Sequence, residues 1–487
     1  MGYGMKNHTL LIASFLTIMV NGVGTAVRGG LLMEWGSAFG FTQTELGQIT
    51  GMGFTGFGCV ILLASLFLDK FGYKPFLVIA AVLHVVSVLL TTAATFAYSS
   101  RVDADPEAAK SAAYFCLFWG IFLFAVANGI CEAVINPLVA TIYSKQKTHY
   151  LNILHAGWPA GMIVGSLLGL LMIGRVRWEI VLALYLVPTL IYLLMIIKQK
   201  FPTSEAADAG VSFVDMLKEL AAPMLIFLLL LHVCIGYVEL GTDAWIANIM
   251  DLTLSGKGLL ILLYTSSLMF VLRFFAGPIV HRINPLGLLF VSAVLAFIGL
   301  YSLGSFTTVA AIMVAATVYG VGKTFFWPTM LGVVSERFPR GGALTLGAIG
   351  GAGMLSAGLL GGPGLGYTQD RYASQNLEET SPALYEDYAA KETNSFLFFA
   401  DVRGLDGSKT GPVLAKAKDP EQELTADEQA VTDASFYGGQ SALKLTAAVP
   451  ALMAVGFLLL LIYFRKQGGY KQIVLSSTKD PESPATE

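Results

Sequence analysis

Charge is scarce in this 487-residue chain: Lys, Arg, Asp and Glu together make up 13% of it. A soluble domain carries about 25%, so a water-exposed globule is excluded. Neither sign dominates, since 30 bases face 33 acids, and no basic block offers a nucleic-acid surface. Cysteine is nearly absent. Cys59, Cys116, Cys131 and Cys234 each sit inside an apolar run, which rules out a disulfide framework and a metal-ligand spacing. No glycine-rich phosphate loop precedes a helix, so ATP-driven pumping is not expected. No paired histidines or clustered catalytic groups share one depth, so neither an enzyme nor a cofactor is expected. The alternating pattern of a barrel wall is missing too. No leader peptide is read, because the apolar run that begins near Thr9 outlasts a signal core.

What the chain has is apolar length. Hydrophobic residues make up 55%, and a membrane helix needs about 20 in a row. Twelve runs qualify: 9–33, 45–68, 75–98, 113–143, 150–173, 177–197, 222–250, 258–281, 285–306, 309–335, 342–366 and 442–465. The expectation is an all-α membrane protein with twelve transmembrane helices. If the amino terminus is cytoplasmic, fifteen Lys and Arg, from Lys6 to Lys479, fall on inner segments. Only Arg101, Lys110, Arg175, Arg177 and Lys257 fall on short outer loops. Both termini are therefore expected in the cytoplasm of a plasma (inner) membrane cell boundary. The domains read as a first six-helix bundle at 1–197, a cytoplasmic linker at 198–221, a second bundle at 222–465 and a tail at 466–487. The second bundle carries an insertion at 367–440 with fourteen acids and six bases, read as an extracytoplasmic solvated cap or loose loop. A lid or partner-binding role is the alternative, with Phe396–Phe399 able to dock it on the membrane face or a cavity mouth.

Against this apolar background, charges within the spans stand out. Gly129-Ile-Cys-Glu132-Ala-Val-Ile-Asn136-Pro137 reappears as Gly320-Val-Gly-Lys323-Thr-Phe-Phe-Trp327-Pro328. The charge-to-proline spacing is kept and the sign is reversed. Gly161-Met162 maps in the same way to Gly353-Met354, and Asp69-Lys70-Phe71-Gly72 to His281-Arg282-Ile283-Asn284. Two similar halves imply pseudo-symmetry about an axis along the membrane normal, with spans one, four, seven and ten around a cavity. Arg28, Glu132, Glu239, Asp243 and Lys323 fall on those spans. Charges at membrane depth face protein or water rather than lipid.

The loop Ser65-Leu-Phe-Leu-Asp69-Lys70-Phe-Gly72-Tyr-Lys74 resembles the signature of the major facilitator superfamily between spans two and three, with Ser65 in place of its opening glycine. Within the superfamily, Cys131-Glu132-Ala-Val-Ile-Asn136-Pro137 and Leu151-Asn152-Ile-Leu-His155 resemble motifs of the fucose–galactose–proton symporter family. The resemblance implies sugar:proton symport by a monomer in the lipid bilayer. This chain departs from that family in lacking an acid near Arg28-Gly29 and in carrying His155 and Trp158 in span five.

Glu132 and Lys323 lie 11 and 12 residues from the inner ends of their spans, about 16 and 18 Å at helical rise. They are expected to pair across the cavity, directly or through a sugar's hydroxyls, or else to form a permanent structural pair. Asn136, Asn152 and His155 offer polar groups to a small-molecule substrate, and Trp158 and Trp327 can cover a sugar face. Glu132 is the expected proton site. Arg28 with Glu239 or Asp243 is the expected outer gate, with a static surface pair as the alternative. Asp69, Gly72, Lys70 and Lys74, joined by Arg273, are the expected inner latch. His84 and His232 are expected to be packed core histidines. An uncoupled facilitator, an antiporter or a non-transporting sensor of the same fold remain open alternatives.

Overall fold

The computed structural model describes residues 2–41, 43–391, 393–419 and 421–475. The expected tail beyond Leu475, including Lys479, lies outside the described residues. The membrane-spanning helices are α1 (Gly2–Phe39), α2 (Gln43–Phe71), α3 (Tyr73–Ser99), α4 (Pro106–Ile142), α5 (Lys147–Met172) and α6 (Trp178–Ile197). The second six are α7 (Pro223–Asp251), α8 (Leu259–Arg273), α9 (Ala276–Leu303), α10 (Val309–Arg337), α11 (Pro339–Thr380) and α12 (Ala426–Lys466).

Eleven of these are long and apolar enough to cross a membrane by themselves, and α8 is shorter. The backbone resolves that difference. Inside α9, Asn284 adopts φ 55° and ψ 169° just before Pro285, because proline cannot continue a helix and disfavours helical geometry before it. The residues before Asn284 extend α8 into the eighth crossing, and those after it make the ninth. Gly72 at the matching place between α2 and α3 has φ 78° and ψ 169°. The repeat seen in the residues is thus a repeat of backbone turns. Asn284 holds a conformation that is otherwise essentially glycine's, and its Oδ1 accepts Gly287 N at 3.0 Å to start the next helix.

Helices gain little hydrophobic drive from pairing in lipid, so close approach through small residues carries the packing. In the first half, α1 lies on α5, where a Cβ on Gly161 would stand 2.3 Å from the Met19 carbonyl oxygen. In the second, α7 lies on α11, where a Cβ on Gly236 would stand 2.1 Å from the Gly353 carbonyl oxygen. Both α7 and α11 widen into a π-helical turn, at Tyr237–Gly241 and Ala357–Gly361, and the two turns pack together. Between the halves, α2 packs on α11. There Ser65 stands where the resembled signature has glycine, and Gly347 opposite supplies the room: a Cβ on Gly347 would meet Ser65 Oγ at 2.0 Å. The outward faces carry exposed Leu63, Phe67, Val82, Leu89, Leu194, Leu230 and Leu459, a lipid-facing surface.

The insertion is folded, unlike the loose loop expected as one alternative. α11 continues to Thr380, α12 begins at Ala426, and the two run side by side. Short helices at Pro382–Tyr388 and Gly407–Ala417 close over them around Leu377, Tyr385, Val413, Val431 and Ala434. Thr425 and Glu428 form a reciprocal cap at the start of α12, a device that satisfies two otherwise unpaired N–H groups. Phe396 rests near Tyr367 of α11 with ring centres 5.8 Å apart, while Phe398 is 87% exposed.

Candidate functional site between the bundles

At the linker end the two bundles are locked together. Thr148 Oγ1 on α5 donates to Glu336 Oε1 on α10 at 2.7 Å, and Lys147 Nζ donates to the Ser335 carbonyl at 3.0 Å and to Glu205 Oε2. Asn152 Nδ2 donates to Thr329 Oγ1 at 3.2 Å, and Gly277 N donates to His149 Nδ1 at 3.1 Å. Above this seal lies a cavity of about 260 Å³. Its wall uses Ile18 to Leu32 of α1, Thr50 to Phe57 of α2 and Ile121 to Glu132 of α4. Those are the stretches of α1 and α2 nearer the insertion end, together with the middle of α4. Its size falls just below the roughly 300–1,000 Å³ of sites for drug-sized ligands, which suits a small solute.

The cavity floor is one closed ring of hydrogen bonds that passes between the bundles. Trp327 Nε1 of α10 donates to Glu132 Oε1 of α4 at 3.3 Å, and Trp327 backbone N donates to Glu239 Oε2 of α7 at 3.2 Å. Glu239 Oε1 accepts Arg273 Nη2 of α8 at 3.1 Å. Arg273 Nη1 donates to the His155 carbonyl of α5 at 2.5 Å. His155 Nε2 bonds Asn136 Oδ1 at 2.9 Å, and Asn136 Nδ2 donates back to Glu132 Oε1 at 3.1 Å. Every side chain in the ring is buried. In a low-dielectric site such a network is strong when complete and costly when broken. The local sequence explains the reach. Glu132 and Asn136 are four residues apart on α4 and share a face. Glu239 sits in the π-helical turn of α7, and turns of that kind recur at functional sites.

Several expected partnerships are replaced. Lys323 does not meet Glu132. It pairs with Asp243 of its own bundle, is fully buried, and is not part of the cavity wall. The reason is azimuth: Asp243 faces α10 within the second half, so Lys323 finds its acid there. Arg28 does not meet Glu239 or Asp243, because those acids are taken by Arg273 and Lys323. Arg273 is not at the latch with Asp69; it lies at the ring. It is a charge inside an apolar run, the same signal that singled out Glu132, and it was readable by that rule.

At the latch itself, Asp69 Oδ1 accepts Ser204 Oγ at 2.7 Å, Lys74 Nζ donates to the Ile197 carbonyl at 2.5 Å, and Lys70 lies 5.5 Å from the Phe71 ring centre. Gly72 is required there by its positive φ. Trp158, Trp327 and His155 line the cavity, whereas Asn136 stands behind the wall, holding Glu132 and His155, and Asn152 lies in the seal below it. Asn128 also lines the cavity, bonded to His84 Nε2 at 3.0 Å; the sequence reading missed it, and an asparagine one turn from Glu132 on the same helix was the available signal. His232 packs on Trp327 with ring centres 4.6 Å apart.

Two bundles of six helices around a central cavity define a membrane transporter fold. Residues 10–362 match the model of the Major Facilitator Superfamily, and the chain belongs to that family. It is a multi-pass integral membrane protein. Among curated proteins, none matches the sequence. Among solved structures it is similar to the transporter FucP in the outward conformation, with 15% identity, a TM-score of 0.63, and coverage of 94% of this chain and 99% of that one; a second FucP structure is described as the E. coli fucose:proton symporter. It is also similar to the proton:xylose symporter XylE, with 12% identity, a TM-score of 0.64 and coverage of 94% and 96%. A third similar structure is the human organic anion transporter MFSD10, with 12% identity, a TM-score of 0.57 and coverage of 93% and 99%. At these identities the likeness is one of fold.

Proposed function

We propose that this chain is a secondary active transporter that moves a small polar solute of the sugar class together with a proton, by alternating access. In this reading it sits in the plasma membrane with both termini and the linker in the cytoplasm, and the insertion outside. The seal at the linker end and the cavity toward the insertion end correspond to an outward-facing state. Asp69 and Lys74 hold the linker side, and the rocking of one bundle on the other exposes the same cavity inward.

The observation that carries this reading is the ring through Glu132. Its carboxylate lines the cavity and is held from the opposite bundle by the Trp327 indole. A charge-assisted hydrogen bond is roughly twice as strong as a neutral one. A proton on Glu132 therefore loosens a bond that joins the two bundles, and loss of the proton restores it. Proton occupancy is thereby tied to bundle movement. Asn128, His155, Trp158 and Trp327 supply donors, acceptors and flat faces around the same space, as a hydroxylated solute needs.

The test is Glu132→Gln in proteoliposomes with substrate on both sides. The variant keeps exchanging solute down its own gradient but no longer accumulates it when a pH gradient is imposed. Undiminished, pH-driven accumulation by the variant removes Glu132 from the mechanism. The departure at Arg28-Gly29 favours a second reading, an uncoupled facilitator, in which the wild type itself ignores the pH gradient.

A further inference from the structure

Four charged side chains reach the cavity wall: Arg28, Glu132, Glu239 and Arg273. Three are answered within the ring. Glu239 and Arg273 neutralise one another at 3.1 Å, and Glu132 accepts from Asn136 and Trp327. Arg28 is different. Its Nη1 donates to the Gly24 carbonyl at 3.2 Å, and its Nη2 to Ser87 Oγ at 3.1 Å and Tyr185 Oη at 3.2 Å. All three acceptors are neutral. Its Nε has no acceptor, and the residue is only 4% exposed. Among the described residues no acid pairs with it. Its guanidinium carbon lies 3.8 Å from the Phe124 ring centre and 4.8 Å from that of Tyr185. Those faces offset part of the desolvation, but a buried charge without a counter-ion stays costly. A cation kept in a transport cavity under those terms is waiting for an anion.

We propose that Arg28 seats the carboxylate of the transported solute, so that the cargo is a small hydroxylated organic acid, such as a sugar acid or hydroxy acid. This rests on the transport reading above and narrows its substrate class. The planar guanidinium fork, with Nε still free, matches a carboxylate better than any neutral hydroxyl would.

The charges also balance. In the empty carrier ionised Glu132 offsets Arg28, while Glu239 with Arg273 and Asp243 with Lys323 cancel within their pairs. With the cargo bound, its carboxylate offsets Arg28 and the proton neutralises Glu132. Both forms that cross between states then carry the same net charge. A neutral sugar with a proton would leave one positive charge uncompensated. The acid cargo makes transport electroneutral.

The experiment uses the full chain in proteoliposomes and three matched pairs: glucuronate and glucose, galacturonate and galactose, lactate and propane-1,2-diol. Counterflow ranks the six. Potassium with valinomycin then imposes a membrane potential at fixed pH gradient. The acids are expected to exchange with an apparent affinity about tenfold or more above their neutral partners, the size of one lost charged hydrogen bond, and the potential is expected to leave their uptake unchanged. Arg28→Gln is expected to erase the preference, while Arg28→Lys keeps a reduced one; the lysine variant separates lost charge from lost folding. Equal or better exchange of the neutral partners overturns the proposal and leaves the carrier reading standing. So does uptake driven by an inside-negative potential, or an acid preference that survives Arg28→Gln. Silence from all six in vesicles holding folded protein overturns the carrier reading along with it.

Discussion

The two halves share a fold and divide their charges differently. In the second half each buried cation has an acid of the same half: Arg273 has Glu239, and Lys323 has Asp243. In the first half Arg28 has only neutral acceptors, and Glu132 has an amide, an indole and an imidazole near it. The cavity wall is drawn mostly from the first half. The contrast separates two duties. In the transport reading proposed above, the self-neutralised pairs belong to the framework of one bundle, and the unneutralised charges on the other are the ones left to a proton and a solute. A duplicated fold has been specialised by changing which side chains answer one another, with little change to the helices.

The sharpest way to break the contrast is to remove an acid from the second half. Asp243→Asn leaves Lys323 buried without a counter-ion, and losing one member of a buried pair costs about 3–5 kcal/mol. The detergent-solubilised variant should melt far below the wild type, or fail to accumulate as folded protein. Replacing both members by apolar residues, Asp243→Leu with Lys323→Met, should recover most of that stability. If the double variant melts as low as the single one, the pair does more than neutralise itself. Glu132→Gln should behave in the opposite way, with a melting point close to wild type and pH-driven accumulation lost. Arg28→Gln belongs with Glu132→Gln, since its loss should be read in solute preference.

These contrasts also mark what was legible in the residues. Depth was. Glu132 and Lys323 were correctly read as buried charges, because apolar runs and helical rise locate a residue along a span. The repeat was legible too, down to Gly72 and Asn284, which make the same backbone turn before a new helix. Azimuth was not. Whether Lys323 turns to Glu132 or to Asp243 depends on helix rotation, and one residue of rotation is about 100°. Arg273 was misplaced for the same reason: its place within the run 258–281 was plain, but the neighbour it turns to was not. The insertion was read by its charge and by Phe396–Phe399, neither of which speaks of the small apolar core around Leu377, Tyr385 and Val431.

The seal at the linker end offers a smaller effect. Glu336 sits in the second half yet serves the first, accepting Thr148 Oγ1 at 2.7 Å. Glu336→Gln keeps the shape and removes the charge, weakening bonds that close the linker end. A loss of about 1.5–3 kcal/mol is the range for hydrogen bonds to a charged group, enough to move the population toward the opposite state by tenfold or more. Cysteines placed across the seal, accessible to a membrane-impermeant thiol reagent from the linker side, should label faster in the variant. Unchanged labelling would show that the other bonds of the seal and the α2–α11 packing keep that end shut without the charge on Glu336.

The smallest effect concerns the segment after α12. Tyr470 Oη donates to the second oxygen of Glu336 at 2.8 Å, Ile473 N donates to the Glu336 carbonyl at 2.9 Å, and Gln472 Nε2 reaches the Ser144 carbonyl of the first half at 2.5 Å. The chain thus leaves the second bundle, grips the residue that already bonds the first, and reaches the first bundle itself at Gln472. It lies across the seal as a strap. Tyr470→Phe removes one hydrogen bond to Glu336 and nothing of the packing, so about 1–3 kcal/mol of support for the closed linker end is at stake. The same thiol-labelling assay should show a modest acceleration, and combining Tyr470→Phe with Glu336→Gln should add little beyond Glu336→Gln alone, because both substitutions act on one carboxylate. Full additivity would mean that the strap acts through Gln472 and Ser144, independently of the acid that joins the two halves.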